Sequence, residues 1–507
     1  MDNNLIFKEI KKNEEYLKNK IGQGFDINYR DFIIPALDNC DAFIVNINGM
    51  NDRKEVDAYI VAPLLQHFEV PKENFFARKT KKISILIKSG VFLSAAKESS
   101  SWNELLDAIM NGNTVLFVNK SNTALILSTR MFEHRTVSEP ITEGEIRGPR
   151  DGFIENLQSN MVLIRTRIKD YELRFESYKI GTRTKTDIAL AYIEDLVNDS
   201  ILNELRSRLN RIDVDSILES ANIEELIEDS PNSIIPQTEH TERPDKASAA
   251  ILDGRVVILV DNTPFALIIP SVFWGFIHPS GDNYERRFSA TFLRSIRIIA
   301  IFLSMSLSSY YVLLSSFHQE MLPTSFALKI AEGRSGVPFP AIIEAFTMEF
   351  ALQVMKEAGL RMPQPIGQIV SIVGTFIIGQ AAVSAGVVGP VLVIFIALAA
   401  ICSFAIPANS LGTSIRLLSY MLLVLSSILG IFGYLGGIIV IFLHLLSLRS
   451  FGEPFLAPIF PYYKGGAKDI FIRLPIWKTT KRPHTGNPKD NEKQTRKSLK
   501  PMPPPEK

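Results

Sequence analysis

Cysteine is almost missing from this sequence: its 507 residues contain only Cys40 and Cys402. The first lies in a charged region and the second inside an apolar run, so no bond between them is expected. No disulfide framework holds the fold, which agrees with a first half facing a reducing compartment. Charge of one sign is not in excess either, with 55 Lys and Arg against 54 Asp and Glu and a net charge of +1. That balance removes the electrostatic case for a nucleic-acid partner, which needs a concentrated basic surface. The N-terminal stretch MDNNLIFKEIKKNEEYL lacks the uninterrupted apolar core of a signal peptide, so the first half is expected to stay cytoplasmic.

Enzyme motifs are lacking too. There is no G-x-x-x-x-G-K-[ST] and no H-E-x-x-H, and Gly22 with Gly24 is only a fragment of a dinucleotide loop. His240, between Glu239 and Glu242, could begin a metal site but has no second histidine nearby; it reads as part of a solvated loop, and no metal or cofactor is assigned. Asp151 and Glu155 have i, i+4 spacing, which places helical carboxylates toward solvent or an N-terminal dipole more readily than into acid/base work. No catalytic residue is assigned.

The length allows two or three domains, and composition changes steeply along it. Residues before Arg297 are rich in charge, whereas Ile298 to Leu448 is dominated by apolar and small residues. Short apolar runs read as strands at Ala42 to Ile47, Ile83 to Ile87, Thr114 to Val118 and Ala124 to Leu127, with helical spacing at Val56 to Phe68 and Trp102 to Met110. After a loop with Pro140, Gly144, Gly148 and Pro149, helix-compatible Phe153 to Asn160 opens a second α/β set. Its expected strands are Met161 to Ile168, Arg174 to Ile180 and Asp187 to Tyr192, and its helices Ser200 to Asn210 and Ile217 to Glu228. Ile251 to Trp274 contains Asp253, Arg255 and Asp261, each costing about 2.5 to 3.5 kcal/mol inside a bilayer. It therefore reads as a β-hairpin pairing Arg255 to Val260 with Phe265 to Ile269.

Four later runs approach the roughly 20 apolar residues needed to cross a hydrocarbon core about 30 Å thick: Ile298 to Phe317, Ile366 to Ala385, Val387 to Ile406, and a stretch within Ile415 to Leu446. The last is either one tilted helix or two short passes broken around Gly433, Gly436 and Gly437. Arg286, Arg287, Arg294 and Arg297 precede the first run, and Arg449, Lys464, Lys468 and Arg473 follow the last, so both flanks read as cytoplasmic. The expected fold is thus an α+β membrane protein. Residues 1–147 and 148–235 form two cytoplasmic α/β subdomains, 236–297 a hairpin and connector, 298–450 a polytopic helical bundle, and 451–507 a basic disordered tail.

Polar residues punctuate the second run. Gln368, Ser371 and Thr375 share one helix face and are candidates for lining a pore; packing through Gly367, Gly374 and Gly379 is the plain alternative. Pro340 to Gly359 reads as amphipathic, and Glu344 or Glu349, repeated in a ring, would concentrate cations at a pore mouth; otherwise they mark a solvated face. Arg147, Arg150 and Asp151 lie near the subdomain boundary, where they would transmit across it or form structural salt bridges.

Four stretches carry a resemblance: GPRDGFIENLQSNMVLIRTRIKD from Gly148, PQTEHTERPDKASAAILDGRVVILVDNTPFALIIP from Pro236, DNYERRFSATFLRSIR from Asp282, and GRSGVPFPAIIEAFTMEFALQVMKEAGLRMPQPIGQ from Gly333. They resemble the A subunit of the spore germination receptor family, the GerA family. The resemblance implies a protein of the spore inner membrane, with both termini on the core side, working beside a transporter-like B subunit and a lipoprotein C subunit. It further implies a homo-oligomer, a pentamer, acting as a nutrient-gated cation channel. A non-conducting scaffold is the alternative. A secondary transporter would favour inverted repeats and intramembrane charge, and the three spans of definite length hold no charged residue.

Overall fold

Strands with one apolar face, each followed or preceded by a helix carrying a matching apolar stripe, build the first part of the chain. The computed structural model describes residues 5–22, 24–66, 86, 91, 96–131, 139–140, 142–360, 378–463 and 466–494. It divides into two compact units, one of Met1–Glu228, Thr238–Pro270 and Thr479–Lys507, the other of Asp229–Gln237 and Ser271–Lys478.

The first unit holds two five-stranded antiparallel sheets. Helix α1 (Ile10–Ile21) precedes β1 (Ile27–Ile34) and β2 (Cys40–Ile47); β3 (Ala96–Ser99), α2 (Trp102–Met110), β4 (Thr114–Val118) and β5 (Ala124–Leu127) complete the first sheet, in order β1-β2-β4-β5-β3. Helix α3 (Leu157–Arg167), β6 (Leu173–Ile180), β7 (Thr186–Ile193), α4 (Asp199–Arg211), α5 (Ser220–Ile227), β8 (Glu239–Thr241), α6 (Pro244–Leu252), β9 (Val256–Val260) and β10 (Ala266–Ile269) follow, with sheet order β6-β7-β9-β10-β8. Trp102, Phe43 and Phe117 stack in the core of the first, and Phe175, Ile164 and Leu259 lie in that of the second.

The two sheets have the same topology, and the likeness reaches single hydrogen bonds. Asn13 in α1 clasps Phe7, accepting from its N–H at 2.8 Å and donating to its carbonyl at 2.7 Å; Asn160 in α3 clasps Ile154 in the same way, at 2.8 and 2.6 Å. Both asparagines are buried, and each satisfies backbone groups that would otherwise lose their water. Gly112 ends α2 and Gly254 ends α6, both with φ of 85°, a left-handed conformation that suits glycine. The N–H of Asn119 donates to the carbonyl of Asp41 at 2.9 Å, and that of Asp261 to the carbonyl of Asp187 at 3.0 Å. The unit is an internal duplication.

Several expectations change here. Met161 to Ile168 is helical rather than a strand, because the Asn156 side chain accepts from the Ser159 N–H and caps α3. The hairpin β9-β10 forms, with Leu267 opposite Ile258, yet it is the interior of the second sheet rather than part of a connector, so that subdomain runs to Pro270. The tail expected to be disordered instead packs on this unit through residue 494. Arg482 Nε donates to the carbonyl of Leu252 at 2.9 Å, Lys489 pairs with Asp199 at 2.8 Å, and Lys493 with Asp253 at 2.8 Å. The C-terminal end of α6 gives Arg482 and Lys493 a docking point, with the negative dipole end favouring cations there, and Lys489 docks at the start of α4. All but Leu86 of the strand expected at Ile83 to Ile87 lies outside the described residues.

The second unit is helical: α7 (Arg287–Ser316), α8 (Thr324–Arg334), α9 (Ala341–Leu360), α10 (Pro390–Phe404), α11 (Asn409–Leu429) and α12 (Ile431–Ser447). Residues 378–384 are also helical, while 366–377 of the expected second span lie outside the described residues. Among the described residues α7 and α11 are long and apolar enough to cross a membrane, whereas α10 and α12 are apolar but shorter. The overlong fourth run breaks at Gly430, with φ 59° and ψ −134°, ahead of the three glycines expected to break it. Gly433 and Gly437 act in packing instead. A Cβ on Gly433 would fall 2.0 Å from the Leu425 carbonyl oxygen, and one on Gly437 2.5 Å from Leu422, so this small-xxx-small face lets α12 fold back tightly on α11.

Candidate functional site

Charged groups inside the helical unit define the site. Helix α9 is turned opposite to an aqueous amphipathic helix: Ala341, Glu344, Ala345 and Met348 are buried, while Ile343, Phe346, Phe350 and Val354 are 46 to 57% exposed. The amphipathic segment expected here therefore presents its apolar side outward. Glu344 is not on a solvated face. Its Oε1 accepts from Arg334 Nε at 3.2 Å and Nη2 at 3.1 Å, and its Oε2 from the Gly389 N–H at 3.0 Å. The carboxylate thus ties the end of α8 to the start of α10, where an anion meets the unsatisfied N–H groups of a helix N-terminus. Pro390 at the first helical position pre-sets that turn.

Deeper along α9, Glu349, Gln353 and Lys356 line a cavity of about 310 Å³, together with Ser304 of α7, Ser403 of α10 and Arg416 of α11. Lys356 Nζ approaches Ser403 Oγ at 3.5 Å and stands 4.2 Å from the centre of the Phe404 ring. Arg416 Nη2 donates to Thr413 at 2.9 Å. Arg416 lies within one of the two long apolar helices, a position the sequence reading passed over because its run had no definite ends. The candidates Gln368, Ser371 and Thr375 lie outside the described residues.

At the start of α7, Asp282 is buried and receives Arg294 Nε at 3.1 Å and Arg297 Nη1 at 2.8 Å. Two of the four arginines expected to flank a span are therefore inside α7 and ion-paired to a buried carboxylate.

In the first unit, the boundary residues do not meet. Arg147 is exposed, Arg150 pairs with Glu139 at 3.2 Å, and Asp151 pairs with Arg167 of α3. The chain between them is held from β8 and α6. Glu143 accepts from Thr241 Oγ1, from the Glu242 N–H at 3.0 Å and from Lys246 at 3.0 Å, and Arg243 donates to the carbonyls of Glu143 and Pro149 at 3.2 and 3.1 Å. Burial would raise the Glu239 carboxyl, but Lys246 and Arg255 outweigh it and hold the group below the usual range. His240 is in strand β8 rather than a solvated loop, its ring edge-to-face with Phe265 at 5.6 Å between ring centres, and burial lowers its pKa. Among the described residues no group of three or more His, Cys, Asp or Glu is arranged to hold a metal.

A model of the Bacillus/Clostridium GerA spore germination protein matches residues 15–485. This chain belongs to the GerA family. It is 40% identical over 490 residues to Spore germination protein KA of Bacillus subtilis, covering 97% of this chain and 89% of that protein. It is 36% identical over 476 residues to Spore germination protein GerLA of Bacillus cereus, covering 94 and 95%. The crystal structure of the N-terminal domain of the A subunit of the Bacillus megaterium spore germinant receptor GerK3 matches at 32% identity over 53% of this chain and 97% of that one, with a TM-score of 0.41. The family is one of germinant-receptor A subunits, a receptor component rather than a known class of enzyme. In this GerA-family chain the sequence reading missed the buried pair Asp26 and Arg165, 2.6 Å apart. The signal was present: an arginine inside the apolar run MVLIRTRI of a helix needs a carboxylate when its face is buried.

Proposed function

We propose that this chain is the membrane-embedded A subunit of a nutrient receptor in the spore inner membrane, with both termini on the core side. Several copies, as a pentamer, form a cation channel that opens when nutrient binds a transporter-like B subunit accompanied by a lipoprotein C subunit. The observation that carries this reading is the reversed helix α9, which points large apolar side chains outward and Glu344 and Glu349 inward, with Glu357 near its end the one exposed carboxylate, as a helix does between lipid and a polar interior. Gln368, Ser371 and Thr375 are the proposed pore-lining residues, whereas Glu349, also a sequence candidate, lines the cavity beside Lys356 and Arg416. Glu344 is better suited to bracing α9 against α8 and α10, because both of its oxygens are engaged within one protomer. Gating requires the nutrient-bound partners to favour the open arrangement by differential affinity.

The test is potassium release on nutrient addition from spores of a deletion strain carrying this chain or a Thr375→Trp variant, with membrane level and partner assembly checked. Lost or constitutive release supports conduction near Thr375; unchanged release moves the pore elsewhere. Absence of nutrient-dependent current from the purified wild-type complex in liposomes would favour a non-conducting scaffold.

A further inference from the structure

The cavity between α9, α10 and α11 holds two cations whose charge is not matched by a contact. Among the described residues, Lys356 meets the Ser403 hydroxyl and the Phe404 ring, and Arg416 meets Thr413 and interacts with Tyr420, its Nε being buried without a hydrogen-bond partner; neither cation has a carboxylate in an ion-pair contact. A buried guanidinium nitrogen with nothing to donate to costs free energy that an oxyanion would return. Part of the lining is apolar and open to the surroundings: Ile401 and Phe404 are 65 and 68% exposed. Cations set beside exposed apolar side chains, with Lys356 4.2 Å from the Phe404 ring, describe a site for an amphiphile, not for a free ion.

We propose that this cavity binds an anionic glycerophospholipid, with the phosphate between Lys356 and Arg416 and an acyl chain leaving past Ile401 and Phe404. About 310 Å³ holds a headgroup and the first methylenes, and the rest of each chain stays in the surrounding hydrocarbon. Glu349, two helical turns or about 10 Å before Lys356 on α9, lines the same cavity. It disfavours a second negative charge and offers an acceptor to headgroup hydroxyls, so a singly charged phosphatidylglycerol fits better than a dianion. Basic pockets between helices near the cytoplasmic leaflet bind such headgroups by the same physics. A lipid there would brace α9 against α11 and make the receptor responsive to membrane composition.

This inference rests on the helical unit lying in a bilayer, which is checked separately by retention of the chain in membranes washed at alkaline pH. The test is thermal unfolding of the full-length chain purified in neutral detergent, with phosphatidylglycerol, diacylglycerol of the same chains, or inorganic phosphate added. Phosphatidylglycerol is expected to raise the midpoint by several degrees and the other two by less than one degree. The Lys356→Gln/Arg416→Gln pair should abolish the shift. Ile401→Trp, a change at an exposed position that crowds the open apolar lining, should reduce it while leaving the lipid-free midpoint unchanged. Equal stabilisation by inorganic phosphate, by diacylglycerol, or by protein concentration alone would each overturn the proposal, in the last case assigning the cavity to a second copy of the chain. So would an undiminished lipid shift in Ile401→Trp, which decides the matter even if the double variant fails to fold. A chain retained in washed membranes but blind to phosphatidylglycerol loses this site and keeps its place in the bilayer.

Discussion

Replacing Arg165 by methionine isolates a buried electrostatic joint in the first unit. Arg165 donates to Asp26 Oδ2 through Nη2 at 2.6 Å and Nε at 3.1 Å, and to the carbonyls of Asp170 and Leu173 at 3.3 and 3.2 Å. The side chains of the pair are 2 and 3% exposed, so removing the guanidinium leaves a buried carboxylate whose other oxygen, Oδ1, already has no partner. Breaking such a pair from one side costs about 3 to 5 kcal/mol, whereas replacing both members by apolar groups is often close to neutral. Arg165→Met should therefore destabilise strongly, and Asp26→Leu/Arg165→Met should recover most of the loss. Hydrogen exchange on the full-length chain reads this locally, in peptides covering α3 and β1. At about 1.4 kcal/mol per factor of ten, a loss of 3 kcal/mol accelerates exchange more than about a hundredfold. Less than about fivefold acceleration in Arg165→Met, or a double variant worse than the single, would refute the reasoning.

Four further outcomes follow from the same geometry. Glu344→Gln loses the charge-assisted bonds from Arg334 and Gly389, at about 1.5 to 3 kcal/mol, and should lower the thermal midpoint of the purified chain while the exposed Glu320→Gln does not. Gly433→Ala should disrupt the α11-α12 hairpin, since its Cβ meets a carbonyl at 2.0 Å, whereas Gly436→Ala meets nothing within 4 Å and should be neutral; comparing folded yields decides between them. Burial, then Glu228 and Glu219, raises the Glu224 carboxyl from 4.5 to about 8; the folded state holds that proton more tightly, so the group costs stability progressively as pH rises through that window. Glu224→Gln should thus slow exchange in α5 at pH 8 and do little at pH 4, with equal effects at both counting against the shift. Truncation after Lys478 removes Arg482 and Lys489 from α6 and from the Leu196 carbonyl, and should speed exchange around Leu252 to Gly254; unchanged exchange would mean the tail does not hold that end.

Much of the architecture was legible because period and burial agree. Strands β2, β4, β5, β6, β7, β9 and β10 are apolar on at least one face and bounded by turns, and all were readable. What misled was local chemistry that tertiary contacts overrule. The run from Met161 looks like a strand because four of its residues are β-branched, and it is a helix because Asn156 caps it and Asp26 neutralises Arg165. Strands β3 and β8 carry Lys97, Glu98, Glu239 and His240, which hide an edge strand from any hydropathy pattern. The basic tail was read as unable to order itself, which is true of its own composition; its order comes from Asp199, Asp253 and the carbonyls at the end of α6. In the candidate site, Glu344 and Glu349 were identifiable as charges interrupting an apolar helix, but which way α9 faces depends on Arg334 and Gly389 and could not be read from spacing.

The duplication itself escaped notice because its halves share hydrogen bonds more than side chains, and it separates scaffold from addition. At matching places the first sheet pairs Lys97 with Glu104 and the second pairs Glu239 with Lys246. The sign is reversed and the contact is kept, so the fold there requires a pair and is indifferent to which strand supplies the acid. Surroundings differ where the second copy does more. Lys97 and Glu104 are 70 and 41% exposed, and a surface pair of that kind is worth little. Glu239 and Lys246 are 3 and 15% exposed, and they have gained Arg255 and Glu143 as further partners. Glu143 belongs to the chain that joins the sheets, so the buried version of the pair grips the linker while the exposed version only decorates an edge. Burying four charges is tolerable only if all four are satisfied together. Movement of the linker would leave Lys246 with one acid fewer, which makes this network, beside the Asp151–Arg167 pair, a route by which strain on the linker would reach the second sheet.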